Sequence, residues 1–192
     1  MQSPLKNIDP NDFNDKTLWE DFRNGDRKAF EKIYRIYFKD LFKYGVCILP
    51  DEQFVRDAIQ ELFIDLWKYK DRLSKSDQIK YYLLKSLRSK LYKILGQNKR
   101  RNLRAGLYSK EEIRTIPSHE DLIVESDQNN ESGRQVKVFI NELPERQREA
   151  IMLIFFNQKT YEETALIMSM SVQSVYTLIW RAFSTLRKKM RS

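Results

Sequence analysis

The sequence predicts an all-α protein made of two small helical domains, an N-terminal helical bundle and a C-terminal helix-turn-helix domain, joined by a flexible linker. Only 5 Gly and 5 Pro occur in 192 residues, which leaves few turns for a many-stranded sheet. Apolar residues make up 41% of the chain and recur at helical spacing on both sides of a polar stretch. The 11 Phe, 10 Tyr and 3 Trp supply enough large side chains for packed cores.

The first domain is predicted at residues 17–102, after an N-terminal tail at 1–16. Thr17 and Asp26 are expected to be the N-caps of its first two helices, because both are residue types that accept hydrogen bonds from a helix start. A proline after the second helix breaks the pattern. The spacing of apolar residues predicts four helices in all, two within Thr17–Leu49, one at Asp51–Trp67 and one at Ile79–Leu95.

The two domains are separated by residues 103–134, which lose the helical periodicity and are predicted to form an acidic flexible linker. Residues 111–131 hold seven acidic side chains against the single Arg114. The helical pattern resumes in the second domain, residues 135–192.

The last part of the chain has the spacing of a helix-turn-helix. A short helix is predicted at Tyr161–Met168, followed by a tight connection and a longer helix that starts near Val172. Gln173, Ser174 and Thr177 are polar groups suited to base edges and phosphate oxygens in a DNA major groove. An ordinary helical hairpin with a solvated polar face is the alternative for this segment taken alone.

A basic segment runs through the end of the first domain. Between Lys68 and Arg104 there are thirteen basic residues and two acidic ones, within a chain of net charge +8. Tyrosines are interleaved with them, a combination that suits unpaired DNA, since cations track the backbone and rings stack on bases. Core packing of the individual tyrosines is the competing interpretation.

The helix before the basic segment combines acidic and amide groups with large apolar ones. Gln60, Phe63, Ile64 and Trp67 fall at helical spacing and predict a protein-binding face edged by Glu61. For Phe63 and Trp67, burial in the core is the alternative.

Motifs along nearly the whole chain, from about Thr17 to Met190, resemble those of the extracytoplasmic-function (ECF) subfamily of RNA polymerase sigma factors. The segments that carry the resemblance are an opening motif at Gly25–Tyr34, a polymerase-binding helix at Asp57–Trp67, a promoter-melting helix at Tyr82–Arg88, and a C-terminal domain represented by Leu143–Glu149, Tyr161–Ala165 and Ser171–Val175. Tyr176, Leu178 and Ser89 depart from the family's usual residues, so no promoter sequence is carried over.

The resemblance implies a sigma factor that binds core RNA polymerase, recognises minus-35 and minus-10 promoter elements and captures melted DNA. The implied core-polymerase-binding residues are Asp57, Gln60, Glu61, Phe63, Ile64 and Trp67. The implied minus-10 residues are Lys75, Lys80, Tyr81, Lys85, Arg88, Lys99, Arg100 and Arg101. The implied minus-35 residues are Ser171, Gln173, Ser174, Tyr176, Thr177 and Arg181.

The implied partners are the beta and beta-prime subunits of core polymerase, promoter DNA and an anti-sigma factor, with no small-molecule substrate. A sigma subunit makes no bond, so no enzyme activity, catalytic residue, metal or cofactor is expected, and His119 stands alone among potential ligands. The chain has one cysteine and lacks both a leader pattern and a long apolar run. A cytoplasmic location without membrane insertion is therefore expected.

Two other classes compete with this interpretation. A one-component transcriptional regulator shares the helix-turn-helix but needs a ligand pocket or a dimer interface in its first domain. A recombinase shares the basic patches but needs a catalytic cluster, and the sequence offers no persuasive one.

Overall fold

The computed structural model describes residues 15–74, 76–104 and 138–190, with the backbone alone described at 98–104. The secondary structure of these ranges is helical, which confirms the predicted all-α class. Residues 138–141 are helical, a 3-10 turn at Lys70–Arg72 follows the third helix, and a π-helical turn at Met152–Phe156 continues the fifth. The main helices are α1 (Asp15–Arg23), α2 (Arg27–Ile48), α3 (Glu52–Tyr69), α4 (Ile79–Arg104), α5 (Glu145–Ile151), α6 (Tyr161–Met168) and α7 (Val172–Lys189).

One of the two predicted N-caps is confirmed and the other is wrong. Asp26 caps α2, because its carboxylate accepts a hydrogen bond from the backbone N–H of Lys28 at 2.7 Å. Thr17 lies inside α1, which begins two residues earlier at Asp15. The Asp15 carboxylate accepts hydrogen bonds from the Tyr37 hydroxyl at 2.8 Å and from the backbone N–H of Ile79 at 3.2 Å. The early start of α1 therefore links it to α2 and to the beginning of α4.

The core of the first bundle is rich in aromatic rings. Trp19 is fully buried, and its indole N–H donates to the backbone carbonyl of Ser74 at 2.9 Å, which satisfies its polar atom. The Phe22 ring stacks on Phe30 with centroids 5.7 Å apart, and Phe30 contacts Trp67 at 5.1 Å. These contacts join α1, α2 and α3 around one centre.

The crossing of α2 and α3 requires a glycine. A Cβ atom added to Gly45 would lie 2.5 Å from a methyl carbon of Val55 and 3.6 Å from a methyl carbon of Leu91. Real carbon contacts are not this short, so the missing side chain is what allows the helices their close approach.

The second bundle is built on the helix-turn-helix. Thr160 and Glu163 form a reciprocal capping box at the start of α6, with hydrogen bonds of 3.1 Å and 2.8 Å. Ser169 has a left-handed backbone (φ 54°) and turns the chain towards α7. Val175 and Ile179 lie in the core, as their spacing predicted.

The two bundles are in contact. Helix α4 of the first packs against α6 of the second, and α2 packs against α5. The predicted linker falls almost entirely outside the described residues. Within the described ranges, no helix has the length and apolarity needed to cross a lipid bilayer.

Replacing Gly45 by Ala is expected to destabilise the protein by about 1–3 kcal/mol, because the new methyl group must displace Val55 or separate α2 from α3. Urea unfolding followed by circular dichroism measures this change. Gly96→Ala is the matched control: it adds the same methyl group in α4, where nothing lies within 4 Å. There the higher helix propensity of Ala should stabilise the protein by up to about 1 kcal/mol. Equal effects of the two substitutions would contradict the steric explanation.

Candidate protein and nucleic-acid interfaces

The start of α7 is held by its own N-cap. Ser171 accepts a hydrogen bond from the backbone N–H of Ser174 at 3.2 Å, and the two hydroxyl oxygens lie 2.8 Å apart. The Thr177 hydroxyl donates to the backbone carbonyl of Gln173 at 2.9 Å. These three hydroxyl groups are therefore engaged within the helix, whereas the side chain of Gln173 is exposed.

Aromatic rings cover much of the outer face of α7. Tyr176 is exposed and stacks on Tyr161 of α6, with ring centroids 4.2 Å apart and planes 12° from parallel. Trp180, one turn further along, is 70% exposed, and Arg181 beside it is exposed as well. Sequence reasoning missed Trp180. The signal was present, since Trp180 follows Tyr176 by four residues and so lies on the same face of the helix.

Helix α3 exposes only part of the set predicted to bind a protein. Asp57, Gln60 and Glu61 are exposed, and Ile64 is 56% exposed beside them on the same face. Asp57 accepts a hydrogen bond from Gln53 at 2.9 Å, one turn earlier. This leaves an apolar side chain surrounded by acidic and amide groups.

Two members of that set belong to the bundle core. Phe63 is only 4% exposed, and its ring contacts Phe30 and Tyr34 edge-on at 5.8 Å and 4.9 Å. Trp67 is partly buried against Phe30 and Phe22. The prediction that Phe63 lies on an exposed protein-binding face is wrong, because its ring points from α3 towards α2.

Helix α4 carries nine basic residues and no acidic one. Lys85 is exposed, and its ammonium group lies 3.3 Å from the Tyr81 hydroxyl, so the structure brings these two predicted DNA-binding residues together. Lys80 is paired with Asp40 at 2.6 Å. Lys75 lies outside the described residues. The side chains of Lys99, Arg100 and Arg101 are also outside the described part of the structure.

Arg88, another predicted DNA-binding residue, is bound to the second bundle. Its Nε donates to Oε1 of Glu149 at 2.7 Å, and only 12% of the Arg88 side chain is exposed. The Tyr44 hydroxyl donates to the same oxygen at 2.9 Å, and the Tyr92 hydroxyl lies 3.0 Å from Oε2. The Glu149 carboxylate is completely buried, so Arg88 and Tyr44 replace its lost hydration, together with the Tyr92 hydroxyl that Glu149 shares with Glu145.

Burial and the charge of Glu149 change the pKa values of the groups that surround it. Burial and the neighbouring Glu149 carboxylate raise the pKa of both Tyr44 and Tyr92, which keeps the two hydroxyl groups protonated as donors. Burial alone would lower the pKa of Arg88, but the hydrogen bond and the charge of Glu149 outweigh this effect and raise it. The Arg88 guanidinium is therefore charged at neutral pH.

A second contact lies beside the first. The Arg148 side chain donates to the backbone carbonyls of Cys47 at 3.3 Å and Asn141 at 2.8 Å, so it bridges the two bundles. Burial raises the pKa of the Cys47 thiol to about 12. No group of His, Cys, Asp and Glu side chains in the described part of the chain is arranged to hold a metal ion.

Comparisons with known sequences find two matches. Residues 134–186 match the family model described as Sigma-70, region 4. The chain is 22% identical over 167 residues to the ECF RNA polymerase sigma factor SigM of Bacillus subtilis (strain 168), covering 83% of this chain and 93% of that protein.

Two solved structures have the same fold. CnrH, in complex with the cytosolic domain of CnrY, superposes with a TM-score of 0.63 at 19% identity, covering 93% of this chain and 98% of CnrH. The sigma factor RpoE, in complex with the anti-sigma factor NepR from Bartonella quintana, superposes with a TM-score of 0.67 at 20% identity, covering 85% of this chain and 98% of RpoE.

The helix-turn-helix formed by α6 and α7 lies almost entirely within the segment that matches Sigma-70, region 4. The similarity to the ECF sigma factor SigM extends beyond this segment through both bundles. Together with the order of the motifs, these matches support an ECF sigma factor. A one-component regulator is not favoured, because the similarity includes the first bundle as well as the helix-turn-helix.

Cys47 is expected to react with a disulfide reagent at pH 8 about a thousandfold more slowly in the folded protein than in urea. The pKa of about 12 leaves far less reactive thiolate than the ordinary value of 9.0. Because it is the single cysteine, the absorbance change reports this thiol alone. Similar rates in the folded and unfolded protein would show that the thiol is not protected.

Proposed function

We propose that this sigma factor directs promoter-specific transcription by dividing polymerase binding and DNA recognition among three of its helices. The observation that carries the proposal is the placement of distinct surfaces on one chain. Helix α3 has an acidic and apolar exposed face, all charged residues of α4 are basic, and α7 is the second helix of a region 4 helix-turn-helix.

The exposed face of α3 is the proposed contact with the beta and beta-prime subunits of core polymerase. Ile64 supplies apolar area, and Gln60 and Glu61 supply polar groups around it. An apolar anchor within a polar rim is the usual composition of an energetically important protein interface. Phe63 and Trp67 support this face from inside the bundle.

Helix α4 is the proposed binding surface for the melted minus-10 strand. Tyr81 offers a ring and Lys85 an exposed ammonium group on adjacent turns, which fits base stacking combined with phosphate contact. The roles of Lys75, Lys99, Arg100 and Arg101 rest on the sequence. Binding an unpaired strand favours duplex opening by mass action, so no bond is made or broken.

Helix α7 is the proposed reader of the minus-35 element. Gln173 and Tyr176 lie exposed in its first turns, where a recognition helix contacts base edges. Arg181 is placed to contact phosphate. Trp180 joins this set as an exposed apolar group able to touch a thymine methyl.

The remaining assignments follow from this role. We place the polymerase and minus-10 domain at residues 17–102, the linker at 103–134 and the minus-35 domain at 135–192. The protein acts in the cytoplasm, without catalysing a reaction, and an anti-sigma factor is its proposed regulator. The two solved relatives support that last point, since the titles of their structures place both in complexes, one of them with a named anti-sigma factor.

The polymerase contact is tested by transcription in vitro with bacterial core polymerase and a genomic promoter library. The double variant Gln60→Ala/Ile64→Ala is expected to lower promoter-specific transcript yield about tenfold or more, because it removes the centre of the α3 face. Val138→Ala is the matched control, since Val138 is 54% exposed, close to the 56% of Ile64, but lies outside the three helices. Absence of promoter-specific transcripts with the wild-type protein would refute the proposed function.

The two kinds of DNA contact on α7 should give different signatures in duplex binding. Arg181→Ala is expected to weaken binding about equally for all sequences and to reduce the slope of log K against log salt by about 1. Gln173→Ala should instead weaken binding to the preferred minus-35 sequence by about 1–3 kcal/mol with little change in the salt slope. Fluorescence anisotropy over a salt series measures both. The same salt response for the two variants would argue against the assigned contacts.

A further inference from the structure

All the donors that surround the Glu149 carboxylate come from the first bundle. Tyr44 belongs to α2, and Arg88 and Tyr92 belong to α4, whereas Glu149 belongs to α5 of the second bundle. One guanidinium N–H and two hydroxyl groups thus converge on a carboxylate supplied from outside. The first bundle on its own therefore carries the donor half of an anion-binding site.

The donors are held in place by contacts within the first bundle. The guanidinium carbon of Arg88 lies 4.3 Å from the centre of the Tyr92 ring, a cation–π contact that fixes the two side chains together. Both residues are on α4, one turn apart. Because this contact lies within α4, Glu149 is not its only support, and the pair is partly preorganised for another anion.

The surroundings favour the phosphodiester of a nucleic acid. Helix α4 has nine basic residues and no acidic one, and exposed Lys85 lies on the turn before Arg88. The positive electrostatic potential of these basic residues attracts a polyanion more strongly than it attracts a single carboxylate. Several donors directed at one point also match the multiple oxygens of a phosphate group.

The contact between the bundles and strand binding exclude each other at this site. Arg88 and Glu149 are both largely or completely buried while the bundles touch, which leaves no room for a second anion. We propose that Tyr44, Arg88 and Tyr92 form a phosphodiester-binding site for the unpaired promoter strand, which Glu149 occupies in the closed arrangement. This inference rests on the proposed function for the identity of the strand.

The test measures binding of the full-length chain to a fluorescent single-stranded DNA oligonucleotide, without polymerase, by anisotropy. Glu149→Gln removes the competing charge and is expected to tighten binding about tenfold, since the strand no longer displaces a charged partner from Arg88. Glu162→Gln is the matched control. It makes the same charge change in the second bundle at an exposed residue of α6, and it should alter affinity less than twofold.

A second pair of variants shows whether the gain arises at Arg88. Arg88→Gln in the Glu149→Gln background is expected to abolish the tenfold gain. A gain that persists without Arg88, an unchanged affinity of Glu149→Gln, or an equal gain in Glu162→Gln would each overturn the proposal. If Glu149→Gln fails to fold by circular dichroism, Glu149→Asp replaces it, because it keeps the charge but shortens the reach to Arg88.

Failure of this anion site can be distinguished from failure of the proposed function. Promoter-specific transcription by the wild-type protein, together with no gain in strand affinity for Glu149→Gln, supports the sigma role and rejects the site. A gain that depends on Arg88, without promoter-specific transcription, supports an anion site on α4 and rejects the promoter strand as its physiological ligand.

Discussion

The closed arrangement of the molecule depends on one buried carboxylate. A completely buried Glu149 is stable only while Arg88, Tyr44 and Tyr92 surround it, because an unpaired charge in this environment costs several kcal/mol. The ion pair thus makes contact between the bundles an all-or-none condition. Its net contribution to stability is small, since desolvation offsets most of the attraction, so the contact is specific without being strong.

An ion pair that gives specificity more than strength suits the proposed function, in which the two bundles contact separate promoter elements. Helix α6 of the helix-turn-helix packs against α4, the helix proposed to hold the melted strand. In this arrangement, contacts within the protein set the distance between the two proposed DNA-binding surfaces. The bridge from Arg148 to the Cys47 carbonyl adds a second polar link between the two bundles.

Much of the fold could be predicted because it depends on local sequence signals. The capping signal at Asp26, the helix-turn-helix spacing and the periodicity that buries Val175 and Ile179 all act within a few residues. Thr17 was misassigned because the true helix start is fixed by contacts of Asp15 with residues distant in sequence. No local pattern reveals such partners.

The candidate surfaces were less predictable for the same reason. Helical spacing placed Phe63 near the exposed Ile64, but only packing against Phe30 and Tyr34 decides that its ring points inward. Similarly, the sequence around Arg88 does not reveal its acidic partner, because Glu149 lies 61 positions away. The network around Glu149 therefore becomes visible only in three dimensions.

The anchoring of the segment before α4 gives the first helix a role beyond packing. Trp19 bonds the carbonyl of Ser74, and Asp15 bonds the N–H of Ile79, so α1 fixes the chain at both ends of this short connector. Both bonds hold the start of α4 against α1, which lowers the conformational entropy of this part of the chain before any partner binds. Helix α1 therefore helps to position α4, the helix proposed to bind the melted strand, and a change at Asp15 or Trp19 acts on that proposed surface indirectly.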